Sequence, residues 1–235
     1  MHLDDLPDLA RARALRAAAR GVAIRDSGRA VAVAFVSDGA ILPADTLVRF
    51  DVTRGEDPVR RLSDAFATTG ARAIWYFGGD DMTRRAVAAL DLRLRPVGAA
   101  FVRRMDGGDV RPITFRAPSL VDRITLEELT REHAPDLAAP QVEVAEFDRD
   151  AVGMIFADTL ENGWTELRAV VYPPHRGRGL GAALLAAAAD RLEASGQRVC
   201  AAIEGTSGRA RVALERAGFR LVDYYFIGKK GAAAP

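Results

Sequence analysis

Residues 170–192 read "VVYPPHRGRGLGAALLAAAADRL". An apolar, β-branched run breaks into a turn that carries Gly177, Gly179 and Gly181 at alternate positions and then enters an Ala/Leu helix. Glycine loses more conformational freedom on folding than any other residue. Such a cluster belongs where the backbone must approach something closely or turn as other residues cannot. A turn of this kind presents N–H groups at the positive end of a helix dipole, which is an anion site suited to phosphate. The bland reading is a tight strand-to-helix turn in an Ala-rich chain, but three alternate glycines exceed what a turn needs.

Three phosphate loops compete. The nucleotide-triphosphate loop requires Gly-Lys after four residues. The only lysines are Lys229 and Lys230, so it fails. The dinucleotide fingerprint matches Gly177, Gly179 and Ala182, with Glu204 as a ribose-binding acid at a tolerable distance. Its context is wrong. Tyr172, Pro173, Pro174, His175 and Arg176 separate the strand from the glycines, and too little chain follows Glu204 for further strand–helix units. The third candidate depends on the order of elements.

That order reads as follows. Helices are predicted at 5–20, 57–69 (Pro58 near its start, Gly70 after its end), 81–90 (opened by Asp80 or Asp81), 126–133 (capping box Thr125/Glu128) and 179–194. Another helix is capped by Ser207 and ends at Gly218. Strands are predicted at 29–37, 46–52, 71–77, 95–104, 141–147, 151–158, 164–171 and 197–203, with a last strand in "FRLVDYYFIG". The helix over 179–194 should bury Leu180, Leu184, Leu185, Ala188 and Leu192. The short strands and short loops upstream of the turn suggest antiparallel hairpins and meanders. The segments starting at Ala71 ("ARAIWYFGGDDMTRR…") and Gln197 ("QRVCAAIEGTSGRAR…") run in register without a gap, strand on strand and capped helix on capped helix. "AVAVAFVSD" likewise lies on "DAVGMIFAD". The expected fold is therefore α/β of the α+β type: a mixed, mostly antiparallel sheet flanked by helices, in two similar lobes, 1–108 and 109–235. The first has only "TRGEDPVRR" where the second has its glycine turn.

Arg176-x-x-Gly179-x-Gly181, five residues after a Val that ends a strand, resembles the acetyl-CoA signature of the GNAT acetyltransferase superfamily. "SGRARVALERAGFR" resembles that family's second CoA-side motif. The resemblance covers about residues 112–230. It implies that acetyl-CoA is the co-substrate and that the pyrophosphate lies on the backbone of Gly177, Arg178, Gly179, Leu180, Gly181 and Ala182, with Arg176 shaping the entry. It implies that Ala169, Val170 and Val171 pair with the pantetheine arm and that one of their N–H groups holds the oxyanion. Ser207 stands where the second motif often has Asn, and Leu214 where many members have the Tyr that protonates the leaving thiolate. Tyr224 and Tyr225 are the nearest substitutes, though strand aromatics usually line a core or cleft. For a general base the resemblance points to Glu166 on the strand before the turn, where the ordinary reading is an ion pair with Arg168, or to Glu204. His175 reads as a solvent-facing loop residue, His133 as a helix-end imidazole and Cys200 as core.

The acceptor implied is a small-molecule or peptide amine. A non-catalytic acyl-CoA-binding sensor or interaction module is the rival, consistent with Leu214, and a dinucleotide oxidoreductase is a distant third. Lys plus Arg number 33 against 32 Asp plus Glu, which gives no excess charge for a nucleic-acid partner. One cysteine excludes an internal disulfide. The "MHLDDLPDLARARAL" start lacks a signal-peptide core, and no run reaches membrane-spanning length. No His, Cys or carboxylate spacing suggests a metal. The expectation is a cytoplasmic monomer or homodimer, away from membranes.

Overall fold

The computed structural model describes residues 24–33, 46–50, 52–77, 81–104, 111–122, 124–125, 141–159, 164–204 and 207–229. Strands β1 (Ile24–Asp26) and β2 (Ala30–Val33) make an antiparallel hairpin around Gly28, φ 78°. Sequence analysis expects one strand over 29–37 and none at 24–26, because three residues are too few for a period-2 pattern to show. The helix expected at 5–20 and residues 34–37 lie outside the described residues.

Strand β3 (Thr46–Phe50) pairs antiparallel with β2 and leads to α1 (Pro58–Thr69). The helix starts where the Asp57 carboxylate accepts the Val59 N–H at 3.0 Å and Pro58 fills the first turn. It stops at Gly70, φ 66°, whose N–H donates to Phe66 O at 2.9 Å. Leu62, Ala65, Phe66 and Thr69 recur at helical spacing and are buried. Strand β4 (Ala73–Phe77) lies parallel to β3, as a crossover helix requires. Helix α2 (Asp81–Ala89) and strand β5 (Arg93–Arg103) follow.

The chain divides into two compact units. The first draws on Met1–Ala99, Glu204–Thr206 and Asp223–Pro235. Its strand order is β1-β2-β3-β4-β11, where β11 (Phe219–Lys229) is the last strand of the chain. Tyr225 pairs with Phe77 and Lys229 with Ala73. The Trp75 and Tyr225 rings stack at 4.5 Å, and Leu47, Leu62, Phe66, Ile74, Ala86 and Val87 form the core. The first unit is thus built by β4 pairing with a strand from the far end of the sequence.

The second unit draws on Ala100–Ile203 and Ser207–Val222. Its strands are β6 (Thr114–Arg116), β7 (Gln141–Phe147), β8 (Asp150–Thr159), β9 (Trp164–Val171) and β10 (Arg198–Glu204). All neighbours are antiparallel except β9 and β10, which α3 (Leu180–Ala194) connects. Leu180, Leu184, Leu185, Ala188 and Leu192 are buried as expected, together with Ala182, Ala183, Ala186 and Ala189. Helix α4 (Gly208–Arg216) begins where Ser207 Oγ accepts the Ala210 N–H at 3.3 Å. Each unit is a mixed, mostly antiparallel sheet flanked by helices, which is the fold class the sequence predicts.

One boundary is corrected. Thr125 does not open a helix: Leu120 to Asp122 are already helical, and Thr125 Oγ1 donates to Val121 O. The capping box is Ser119/Asp122, in which Ser119 N–H donates to the Asp122 carboxylate at 2.8 Å and Asp122 N–H to Ser119 Oγ at 3.3 Å. Two Ser/Thr-x-x-acid patterns lay six residues apart, and local sequence cannot rank them. Residues 126–140, Glu128 included, lie outside the described residues.

The β7–β8 hairpin turns through Asp148 and Arg149 at φ 53° and 71°, a pair of left-handed residues of the kind a tight hairpin demands. Arg149 is exposed and bears the strain of a Cβ in that region. Arg149→Gly should therefore raise stability by about 0.5–1 kcal/mol, read as a higher urea midpoint at unchanged slope.

Candidate active site

Strands β9 and β10 begin together and part. Arg198, Val199 and Cys200 pair with Trp164, Thr165 and Glu166. Past that point β9 runs on to Val171 and β10 to Glu204 without pairing with each other. On its other side β9 pairs continuously with β8, from Thr159↔Thr165 to Gly153↔Val171. Tyr172 N–H donates to Val152 O at 2.9 Å. Backbone groups point to alternate sides of a strand, so residues 172, 170, 168 and 166 bond toward β8, while 171, 169 and 167 face the gap. Of the three expected pantetheine partners, Ala169 and Val171 offer N–H and C=O groups to the gap. Val170 is committed to β8.

The turn follows at once. Pro173–His175 form a 3-10 turn, Gly177 (φ 80°) and Gly179 (φ 78°) are left-handed, and Gly179 caps α3 with no side-chain bond. Ala182 N–H donates to Gly179 O at 3.2 Å. The N–H groups of Gly177, Arg178, Gly179, Leu180 and Gly181 have no acceptor among the described residues. No acid lies in the first turn of α3. Gly181 differs from the other two glycines. Its φ is not left-handed, and an added Cβ would meet only Val171 Cγ2 at 3.6 Å and Ala213 Cβ at 3.9 Å, ordinary contacts. Packing does not require it. Arg176 Nε donates to Val171 O at 3.0 Å, and Arg111 Nη1 to Arg178 O at 2.8 Å.

The two faces of the β8–β9 pair differ. A Cβ on Gly153 would lie 3.0 Å from Leu184 Cδ2, so that residue looks at α3. By alternation, Met154, Phe156 and Asp158, with their partners Val170, Arg168 and Glu166, look away from it. Glu166 is 1 % exposed and stands directly opposite Asp158. Arg168 pairs with Asp158 at 3.1 Å and lies over the Phe156 ring. The ordinary expectation joined Arg168 to Glu166. The ion pair described for Arg168 runs instead to the next strand, a long-range partner that sequence spacing cannot show.

The second unit therefore joins Ala169, Val171, Arg176 and the Gly177–Ala182 backbone as one continuous edge and turn, with Glu166 five residues back from Val171 on the same strand. Ser207 spends its hydroxyl on the α4 cap. Leu214 is buried, as is Cys200, and His175 lies 3.5 Å from Arg178. Glu204 closes β10 and counts with the first unit, and its side chain lies outside the described residues. Tyr224 is 39 % exposed on β11, also with the first unit, while Tyr225 is buried. Sequence reasoning missed Asp158, Arg111 and Asp122. Asp122 is a hub: it accepts from Ser119 N–H, Ser119 Oγ and both terminal nitrogens of Arg116, whose Nε donates to Glu146 at 2.6 Å. The Arg116 guanidinium and the Ser119 donors hold the Asp122 carboxyl down at about 2. Among the described residues no group of His, Cys, Asp and Glu could hold a metal, and no helix is long and apolar enough to cross a membrane.

The corresponding turn of the first unit is built differently. Arg54-Gly55 matches Arg176-Gly177, and Gly55 is also left-handed, φ 91°. Glu56-Asp57 then stands where the second unit has Arg178-Gly179. The Glu56 carboxylate accepts from Thr53 N–H at 2.8 Å and Arg29 Nη2 at 2.6 Å, bonds that hold its pKa at about 2. Asp57 caps α1. This turn carries its own anion.

Residues 139–221 match the family model described as the acetyltransferase (GNAT) domain. That match identifies a GNAT acetyltransferase domain, a domain of acyl-transfer enzymes, over this stretch of the chain. No curated protein matches the chain. Solved structures share the fold. A GNAT-family acetyltransferase from Colwellia psychrerythraea superposes with TM-score 0.66 at 9 % identity, over 86 % of this chain and 81 % of that one. A GCN5-related N-acetyltransferase from Kribbella flavida gives 0.59 at 16 % identity, over 95 % of both chains. A tandem GNAT protein from the clavulanic acid biosynthesis pathway gives 0.60 at 14 % identity, over 91 % and 85 %.

The Asp122 hub should show in acid. Its folded pKa lies below the ordinary value of 3.8, so its stabilisation is present above that value and is lost as pH falls toward about 2. Asp122→Asn should cost about 1–3 kcal/mol at pH 7 and flatten the loss of stability between pH 4 and 2, measured by urea unfolding across that range.

Proposed function

We propose that the second unit moves an acetyl group from acetyl-CoA directly to a primary amine, and that the first is a degenerate copy of the same fold that binds no CoA. The observation that carries the donor assignment is Gly181. Neither its backbone angle nor its packing needs glycine, and it sits among N–H groups with no acceptor, at a helix start with no acid. Close approach of a pyrophosphate explains all three. The tandem organisation draws support from the matching element order of the two halves, and Glu56 explains why the first turn would reject a phosphate.

In this reading the pantetheine arm lies along the open edge of β9, and Ala169 or Val171 N–H receives the thioester oxygen. The amine arrives on the face away from α3, near Glu166. Its lone pair attacks the carbonyl carbon, and the C–N bond forms. The oxyanion rests on the β9 N–H. Collapse breaks the C–S bond and releases the thiolate, while the second nitrogen proton passes to solvent to leave the neutral amide. Glu166 takes the ammonium proton beforehand, through water because it is buried. With Leu214 in the position expected for an acid, the thiolate leaves unprotonated, which a thiol of ordinary acidity permits. That buried Leu214 is also what favours the rival, an acyl-CoA-binding module without turnover.

Gly181→Asp tests the donor site. A carboxylate in the first helical turn favours the helix, so the free protein should be as stable as wild type or more so. Acetyl-CoA binding by calorimetry should fall at least about 100-fold, because two like charges then share one site. Unchanged affinity overturns the loop assignment.

Glu166→Gln tests the base. The rate of thiol release with an amine acceptor should drop roughly 10²–10⁴-fold near neutral pH and recover toward wild type as pH approaches the amine's own pKa. A pH profile parallel to wild type rules Glu166 out as the base and passes the role to Glu204. No acetyl-CoA turnover with any amine, despite stoichiometric binding, establishes the rival.

A further inference from the structure

The chain leaves β9 through Tyr172, whose backbone is held by Val152 O. Its ring packs with Val144, Met154 and Phe156, on the face away from α3. The residue is 8 % exposed. Its hydroxyl is buried and has no hydrogen-bond partner among the described residues. Native proteins rarely leave such a group unpaired.

The nearby polar groups do not supply a partner. Asp122 and Arg116 are close enough to act on the phenol. Yet Asp122 already takes its bonds from Ser119 and Arg116, and Arg116 gives its own to Asp122, Ala117 O and Glu146. Burial first, with the Asp122 charge second, raises the phenol pKa to about 12. The oxygen thus keeps its proton and is a donor with no acceptor among the described residues.

We propose that the Tyr172 hydroxyl is a specificity contact for the amine acceptor. It donates to an amide or hydroxyl oxygen several bonds from the reacting nitrogen. The proposal rests on the acetyl-transfer reading above. The face decides for acceptor over donor. The glycine turn feeds α3, so the phosphates belong to the α3 side, while Tyr172 shares the opposite face with Val170, Arg168 and Glu166. Residue 172 lies three residues beyond Ala169, roughly 10 Å along an extended strand. An acceptor spanning that distance is an extended molecule of the short-peptide or amide type rather than a minimal amine.

The test compares wild type with Tyr172→Phe in three measurements. In the free protein, removing an unpaired buried hydroxyl should leave the melting temperature unchanged or raise it. With acetyl-CoA and paired acceptors (alanyl-alaninamide and its chain analogues against alkylamines of matched length), wild type should favour the amides in kcat/KM. Tyr172→Phe should lose about 3- to 10-fold on the amides, mostly in KM, and nothing on the alkylamines. Acetyl-CoA affinity should not change. Equal amide-to-alkylamine ratios in the two proteins overturn the proposal while leaving acetyl transfer intact. So does a lower melting temperature of the free variant, which would mean that the hydroxyl is already satisfied. Loss of acetyl-CoA affinity reassigns the contact to the donor. If neither protein turns over any of these amines, and none shifts the melting temperature of wild type, both the acetyl-transfer reading and this contact fall.

Discussion

The parting of β9 from β10 is the constraint on which the site depends. A strand that loses its neighbour in mid-sheet leaves backbone donors and acceptors without partners, and an interior that leaves them so is unstable. Here the loss falls on alternate residues, 167, 169 and 171, because β8 holds the others. One of the freed carbonyls, Val171 O, is taken by Arg176 from the turn. The same five-residue step that ends the strand thus ties its open edge to the glycine turn. Edge and turn form one surface of unpaired backbone, extended at one end and convergent at the other. Such a surface suits a ligand with an amide-bearing arm and a pyrophosphate.

The two turns begin alike and differ in the two residues that follow. Both place an Arg-Gly with a left-handed glycine before a helix. In one, the following residues are Glu56 and Asp57, whose carboxylates satisfy Thr53, Arg29 and the helix start from within. In the other they are Arg178 and Gly179, and the helix start stays open. The first arrangement gains local stability, and the second keeps its electrostatic capacity for something that must come from outside.

Much of this was legible in the sequence where the signal is local. The bounds of β9, the Ser207 cap, the Pro58 start and Gly70 stop of α1 and the buried stripe of α3 all follow from residue type and spacing. What escaped was non-local. Nothing in "FRLVDYYFIG" says that its second half packs on Ala73–Phe77, because pairing depends on what the rest of the chain leaves open. Asp158 reads as an ordinary strand end until β9 sets Glu166 opposite it and Arg168 reaches across. Ser119 and Thr125 both look like caps, and Arg116, brought in by β6, marks the first of them as the one that binds Asp122. The open edge of β9 could be expected only from the family resemblance. That Val170 is excluded from it follows from hydrogen-bond parity, which needs the register.

Residue-resolved amide hydrogen exchange with and without acetyl-CoA tests the central claim most directly. In the free protein Val170 should be protected by β8, while Ala169, Val171 and Gly177 to Gly181 exchange fast. Acetyl-CoA should slow those seven amides and leave Thr53 to Asp57 unchanged. Protection that appears at Thr53 to Asp57, or that spares Ala169 and Val171, would contradict the account.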